Sequence, residues 1–220
     1  MIKENVKKLL CEIPEGVSLV AAAKARTPSE VLQAIEGGVE IIGENYVQEA
    51  QRAHAIVGHR AKWHFIGHLQ TNKVKKAVQI FDMIETVDTL KIASEIDTHC
   101  ARIGKIMPVL IEVNSGNEES KSGVGPERAI ELVKEVAGLS NIKVMGLMTI
   151  APYFDDPEKS RRYFSSTRRI SEEIKASKIQ NVQMRYLSMG MSDSWRVAVE
   201  EGSNMVRIGT AIFGTRDYER

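Results

Sequence analysis

Short apolar segments alternate with longer amphipathic segments from one end of the chain to the other. The short segments have the length of β-strands and are bounded by turn-forming residues. Eight strands are therefore predicted, over residues 18–23, 41–43, 63–66, 83–87, 108–113, 143–150, 184–188 and 205–208. Apolar residues recur at helical spacing between them, in stretches that include 28–37, 94–102, 126–137 and 157–175.

The regular alternation of strands and helices predicts a parallel sheet with crossover helices, an α/β fold. Eight strands are the number that closes a (β/α)8 TIM barrel, and we expect one such domain over residues 1–220. Pro28 and Pro126 stand where helices would begin. Glycines stand where helices would end, at positions 37, 38, 104 and 138. An open doubly wound sheet would produce the same alternation and is the alternative fold.

Composition limits which classes of binding partner and which cellular compartment are expected. The net charge of +1, from 30 basic and 29 acidic residues, gives no electrostatic reason to expect nucleic acid or a membrane surface as a partner. Cys11 and Cys100 lie far apart and form no CxxC motif, which favours a reducing compartment. The N-terminus does not resemble a signal peptide, and no apolar run approaches the roughly 20 residues of a spanning helix. A cytoplasmic protein is expected.

Lys24 is the first residue that suggests covalent chemistry. It directly follows the apolar run 19–23 of the first predicted strand. In a barrel, the loops after the strands form the functional face. A lysine sheltered there by small apolar neighbours can form a Schiff base with a carbonyl compound. A lysine at a strand end is also commonly the first solvated residue, so Lys24 alone does not decide the matter.

Two glycine-containing segments suggest a phosphate site. Residues 188–193 follow the seventh strand and precede a short helical stretch, 194–201, whose first N–H groups can bind an anion. Residues 207–214 include Gly209 and Thr210, which offer further N–H and hydroxyl donors. Loops after strands seven and eight of barrels often bind phosphate. Each segment alone could be a simple turn, but together with Lys24 they predict a phosphorylated aldehyde as the ligand.

Other polar residues follow the second and third strands. Asn45 and His68 are expected to point into the barrel mouth, whereas Asn72 could equally cap the next helix. The remaining histidines, at positions 54, 59, 64 and 99, lack the spacing of metal ligands, so we expect surface or core positions and no metal. Neither a Ser-His-Asp set nor a GxxxxGK[ST] loop is found.

Several of these segments closely resemble the pyridoxal 5′-phosphate (PLP) homeostasis protein family, whose fold is that of the alanine racemase N-terminal barrel, fold type III of PLP proteins. The long matching stretches are highly specific: Gly-Glu-Asn-Tyr-Val-Gln-Glu at 43–49, Trp-His-Phe-Ile-Gly-His-Leu-Gln-Thr-Asn-Lys at 63–73 and Ser-Met-Gly-Met-Ser-Asp at 188–193. Further matches at 20–24, 121–123, 146–148 and 205–214 extend the resemblance over nearly the whole chain in family order.

The resemblance implies that PLP is the cofactor and forms a Schiff base with Lys24. It also implies the residues that hold the rest of the cofactor: the Met191 backbone, Ser192, Gly209 and Thr210 at the phosphate, Arg207 at the pyridine nitrogen, and Asn45 in the pocket, where we also place His68. The chain departs from the family around the lysine. Ala-Arg-Thr-Pro at 25–28 stands where Thr-Lys-Pro is commoner, and Ala-Ala at 22–23 replaces the more usual Val-Ser.

An arginine at the pyridine nitrogen has a chemical consequence. A guanidinium stays protonated, so Arg207 would donate a hydrogen bond to the ring nitrogen and leave that nitrogen unprotonated. The ring is then a poorer electron sink than one paired with a carboxylate, which disfavours transamination.

Three functions are compatible with these residues. The resemblance implies a PLP-binding protein of intracellular vitamin B6 and amino-acid homeostasis without strong catalysis of its own, and apo forms of PLP-dependent enzymes are the candidate protein partners. The alternative is a PLP-dependent amino-acid racemase, which would need a second acid/base on the other face of the cofactor. Because the chain ends at Arg220, soon after the eighth strand, we expect no added domain to supply it, and we expect a monomer. A Schiff-base aldolase acting on a sugar phosphate is the third.

Overall fold

Eight parallel strands close into one barrel in the computed structural model of the protein, which describes residues 1–118 and 121–215. Each strand pairs with its neighbours in chain order, and β8 returns to β1. The strands are β1 Ser18–Ala22, β2 Ile41–Glu44, β3 Lys62–Phe65, β4 Met83–Val87, β5 Met107–Val113, β6 Ile142–Thr149, β7 Val182–Ser188 and β8 Met205–Ile208. The predicted (β/α)8 barrel is confirmed, and the open doubly wound sheet is wrong.

Helices surround the barrel. They are α1 Ile2–Glu12, α2 Pro28–Glu36, α3 Val47–Val57, α4 Val74–Ile80, α5 Leu90–Ala101, α6 Ala129–Ala137, α7 Arg161–Ala176, α8 Trp195–Glu200 and α9 Thr210–Phe213. No helix in the described part of the chain has both the length and the apolar character needed to span a membrane.

The structure corrects several predicted helix boundaries. Helix α5 begins at Leu90 rather than at residue 94, because the Thr89 hydroxyl accepts a hydrogen bond from the Ile92 N–H (3.4 Å) and caps it. The starts predicted at Pro126 and Pro157 are 3₁₀ turns that lead into α6 and α7. Asn72 does not cap α4, since it lies inside a 3₁₀ turn before that helix.

The helix-end glycines divide into two pairs. Gly38 and Gly104 take positive φ, as their position after a helix predicts. Gly37 and Gly138 end α2 and α6 in the right-handed conformation instead.

The apolar core lies mainly between the strands and the surrounding helices, as alternation of side chains along each strand requires. Residues such as Ile42 and Val206 belong to this continuous layer. Inside the barrel the apolar clusters are smaller; one of them contains Val20, Ile66 and Met205. The rest of the interior carries polar and charged side chains, which marks it as the part of the fold available for chemistry.

Candidate functional site

Lys24 lies just beyond the C-terminal end of β1, at the end of the barrel that we call the mouth. Its side chain is partly buried, and its Nζ lies 5.3 Å from the centroid of the Tyr46 ring. The following residue, Ala25, has φ 59°, a left-handed conformation that costs about 1–2 kcal/mol for a residue with a side chain. The Ala25 N–H donates to Glu49 Oε2 (2.9 Å), which ties this turn to α3. Lys24 is therefore held on a turn of defined shape.

Gly209 and Thr210 lie beside that turn. The β1–β8 register pairs Ala21 with Ile208, which brings Gly209 next to Ala22. A Cβ on Gly209 would lie 3.1 Å from the Ala22 carbonyl oxygen, closer than side chains normally approach. Thr210 is exposed and begins α9, whose first N–H groups have no acceptor within the helix. Gly209 therefore packs beside Ala22, two residues before the sequence-predicted Lys24, and Thr210 follows Gly209 at the mouth.

The loop after β7 has a conformation that only glycine allows. Gly190 has φ 90°, and a Cβ there would lie 2.7 Å from Ala198 Cβ and 2.8 Å from Trp195 Cα. The Met191 N–H is engaged within the loop, where it donates to Ser194 Oγ (3.2 Å). The neighbouring Ser192 is partly buried and carries a hydroxyl group that can donate.

Arg207 is buried inside the barrel, with 4% of its surface exposed, and is anchored on two sides. Its Nη1 donates to Ser188 Oγ (2.6 Å) and its Nη2 donates to the Thr149 carbonyl oxygen (2.8 Å). Ser188 Oγ in turn donates to Glu85 Oε2 (2.6 Å), and Glu85 Oε1 lies 2.7 Å from His64 Nδ1. These five residues form a continuous polar network across the barrel, which we call the arginine network.

The arginine network settles the charge of its carboxylate. Burial alone would raise the pKa of Glu85, but the hydrogen bond with His64 and the positive charge of Arg207 hold that pKa below its ordinary value. Glu85 is therefore an anion at neutral pH, and it offsets the buried guanidinium.

Most of this network is not evident from the sequence, where His64 is expected only in the core or on the surface and Glu85, Thr149 and Ser188 have no predicted role. The sequence does carry one signal, because Glu85 and Glu112 are charged residues within predicted strands. Charged side chains at such positions are rarely buried unless they are paired or functional.

Two cavities open at the mouth, on opposite sides of Ile150. The first, the arginine cavity, is lined by Arg207, Thr149, Gly190 and Met191 among others. The second, the glutamate cavity, is lined by Asn45, Ile66, Gly67, His68, Thr86, Glu112, Val113, Lys121, Ser122 and Ile150. The predicted site residues are therefore distributed over the mouth: Met191 and Arg207 line the first cavity, and Asn45 and His68 line the second.

A glycine allows the glutamate cavity to form. A Cβ on Gly67 would lie 2.3 Å from the Asn45 carbonyl oxygen, so only glycine permits the turn after β3 to pack against Asn45. His68 next to it is exposed, and its Nδ1 lies 3.1 Å from Ser122 Oγ. Asn45 is partly buried at the end of β2.

The remaining histidines and the cysteines play no part at the mouth. No cluster of three or more metal-ligating side chains occurs within residues 1–118 and 121–215. His54 packs edge-on against His59 and Trp63, and Trp63 belongs to the apolar layer between the strands and the helices. Cys11 is exposed and Cys100 is buried, and both are free thiols.

Glu44 precedes Asn45 and gives a prediction of pH dependence. It is 1% exposed, and its Oε2 has no hydrogen-bond partner in the described part of the chain. Burial and the charge of Glu49 raise its pKa to about 8. Since the folded carboxyl is neutral where the unfolded one is ionised, the parent loses stability as pH rises from 4.5 towards 8. We expect Glu44→Gln to gain stability relative to the parent over that interval, and no further above it.

Urea unfolding at several pH values would measure this gain. Glu131→Gln, at an exposed position of α6, is the matched control and should show no such trend. A Glu44→Gln difference that does not change with pH would contradict a neutral buried carboxyl.

Comparison with known proteins gives consistent matches. Residues 1–217 match the family described as alanine racemase, N-terminal domain. A pyridoxal phosphate homeostasis protein from Aquifex aeolicus is 42% identical over 201 residues, which are 91% of this chain and 87% of that protein. The structure of PipY from Synechococcus elongatus with PLP bound has a TM-score of 0.89 and 29% identity, and the match covers 97% of this chain and 100% of that one.

An alanine racemase from Clostridium difficile shares the fold alone. Its TM-score is 0.81 at 16% identity, over 99% of this chain and 56% of the racemase.

Proposed function

Because this chain belongs to the pyridoxal phosphate homeostasis protein family, we propose that it binds PLP, that Lys24 forms the Schiff base, and that the protein serves intracellular PLP and amino-acid homeostasis without strong catalysis of its own. The observation that carries the proposal is that Gly209, which precedes Thr210, packs beside Ala22, two residues before Lys24 at the barrel mouth. A primary amine and a phosphate-binding turn there are complementary to the two ends of a phosphorylated aldehyde.

The donors at the mouth fit PLP group by group. A phosphate needs several hydrogen-bond donors, and the turns at Gly190 and Gly209 expose backbone where a side chain would clash. The aromatic ring needs a partner for its nitrogen, and Arg207 lines the arginine cavity together with Gly190. The aldehyde needs an amine, which Lys24 supplies.

Arg207 is held in place before any ligand binds. Ser188 and the Thr149 carbonyl hold the guanidinium through its Nη1 and Nη2 atoms, and the Glu85 carboxylate offsets the positive charge of Arg207. Bound PLP supplies an electrophilic carbonyl and a ring able to accept electrons. A permanently protonated Arg207 at the ring nitrogen limits that electron acceptance, which supports binding and storage over carbanion chemistry.

The phosphate assignment predicts the behaviour of one double variant. Ser192→Ala with Thr210→Ala removes two hydroxyl donors, and hydrogen bonds to charged groups contribute about 1.5–3 kcal/mol each. We expect PLP affinity to fall roughly 100-fold or more, with Schiff-base formation preserved at high PLP concentration. Equilibrium dialysis with absorbance detection would measure both.

The control replaces a serine and a threonine away from the mouth, Ser165→Ala with Thr98→Ala, both at exposed helix positions. It should bind PLP like the parent. If the Ser192/Thr210 variant also retains PLP as tightly as the parent, these two residues do not hold the phosphate.

The racemase alternative derives its support from the shared fold. Its distinguishing observable is the loss of optical rotation of L-alanine with time. We expect the PLP-loaded protein to show no loss beyond that of Lys24→Ala treated in the same way. A rate of optical-rotation loss well above that of the control would show that the protein is a racemase and would contradict the carrier function.

The proposal also covers the compartment, the oligomeric state and the partners of the protein. A single-domain cytoplasmic monomer, with apo PLP-dependent enzymes as its candidate partners, agrees with the free thiols of Cys11 and Cys100. The near-neutral net charge of +1 agrees with a small-molecule ligand rather than nucleic acid or a membrane surface.

A further inference from the structure

Glu112 occupies an unusual position inside the barrel. It lies on β5, is 6% exposed, and its side chain lines the glutamate cavity. Its backbone carbonyl accepts a hydrogen bond from Val124, whereas its carboxyl group has neither a hydrogen-bond nor an ion-pair partner within residues 1–118 and 121–215. A buried carboxyl without a partner is costly, so its natural complement is a ligand that donates hydrogen bonds.

The surroundings of Glu112 raise its proton affinity, so that the carboxyl titrates close to neutral pH. Burial and the charge of Asp88 raise its pKa to about 7, while the charge of Arg207 opposes them. A cation placed in the cavity would therefore bind an ionised Glu112. The arginine network does not engage Glu112, since Arg207 donates to Ser188 and Thr149.

The more exposed part of the glutamate cavity carries donors. Lys121, Ser122 and His68 line it, and Ser122 Oγ and His68 Nδ1 are in contact at 3.1 Å. Lys121 pairs with Glu118 beside the cavity. The cavity thus has an acidic inner end and a basic, hydroxyl-bearing outer edge.

The remaining walls are apolar, and the space is small. Ile66, Val113 and Ile150 line the cavity between its two polar ends. Its volume is about 220 Å³, below the roughly 300 Å³ at which pockets for drug-sized ligands begin. A compact ligand with an aliphatic part fits these dimensions.

We propose that the glutamate cavity is a binding site for a small aliphatic α-amino acid, with the ammonium group at Glu112, the carboxylate at Lys121 and Ser122, and the side chain against Ile66, Val113 and Ile150. The site adjoins the proposed PLP site through Asn45 and His68 and binds the amino acid non-covalently. This inference rests on the cavity and does not require PLP to be bound.

The test is an NMR titration of the PLP-free, ¹⁵N-labelled full-length protein with L-leucine. 3-Methylbutylamine and 4-methylpentanoate are the matched probes, since each lacks one of the two charged groups of leucine. We expect leucine to shift amide signals around Gly67 and Val113 and to bind more tightly than either probe. Equal or tighter binding of either probe, or no binding of leucine, would overturn the proposal.

Glu112→Gln removes the charge at constant shape. We expect it to weaken leucine binding roughly 10- to 100-fold, because a hydrogen bond to a charged group is lost, and to leave 4-methylpentanoate binding unchanged. Glu131→Gln is the control. Unaltered leucine affinity in Glu112→Gln would overturn the assignment, and the three-compound comparison in the parent still decides if that variant fails to fold.

Pyridoxine 5′-phosphate, which lacks the aldehyde, separates this inference from the proposed function. We expect it to bind alongside leucine. Displacement of leucine would assign the glutamate cavity to the cofactor and overturn the separate site. Absence of pyridoxine 5′-phosphate binding, with leucine binding intact, would count against PLP binding and support the amino-acid site.

Discussion

Lys24→Ala is expected to abolish covalent attachment of PLP completely. The parent, incubated with PLP, should show a visible Schiff-base band, and borohydride should fix the cofactor to the peptide that contains Lys24. The variant should show neither, because Lys24 is the lysine that follows β1, the strand whose end packs beside the Gly209 turn. Some affinity for PLP should remain, since the phosphate donors and Arg207 are untouched.

Lys62→Ala is the matched control for this experiment. Lys62 is exposed at the N-terminal end of β3, on the opposite end of the barrel from the mouth. That variant should retain the band and the borohydride-stable adduct at Lys24. If Lys24→Ala forms an equal band, or if mass spectrometry finds the parent's adduct on another lysine, then Lys24 is not the Schiff-base residue.

Arg207→Met is expected to cost about 3–5 kcal/mol of folding free energy at pH 8, because it leaves a buried carboxylate without its compensating charge. The carboxylate left without a counter-charge is that of Glu85. Ser188 Oγ also loses the hydrogen bond that Arg207 Nη1 donates to it. The deficit should shrink as pH falls, since protonation of Glu85 and Glu112 removes the uncompensated charge. Urea unfolding at pH 8 and pH 5 would measure both effects.

Two further variants make the Arg207 result specific. Arg128→Met removes an exposed arginine whose ion pair with Glu131 lies at the surface, and it should change stability by less than about 0.5 kcal/mol. Glu85→Gln combined with Arg207→Met should be less destabilised than the sum of the single changes. Additive losses, or an Arg207→Met cost no larger than that of Arg128→Met, would show that the arginine network does not act as a unit.

Local patterns were sufficient to predict the barrel. Eight apolar segments alternating with amphipathic ones leave few topologies, since parallel neighbours require crossover helices. Segment boundaries were predicted less well, and α5 shows why. Its start depends on a single hydroxyl–amide contact of Thr89, which the apolar periodicity of the helix does not reveal.

The sequence by itself determined the alternation of eight strands with helices, membership of the family, and the positions of Lys24, Gly209 and Thr210 after the first and last strands. These are properties of order along the chain. Only the tertiary structure decided that the sheet closes into a barrel, that His64, Glu85, Ser188, Thr149 and Arg207 join in one network, and that Glu112 faces a cavity. Such contacts join residues as far apart as Glu85 and Ser188, and their existence depends on barrel closure and strand register, which bring distant side chains into one low-dielectric interior.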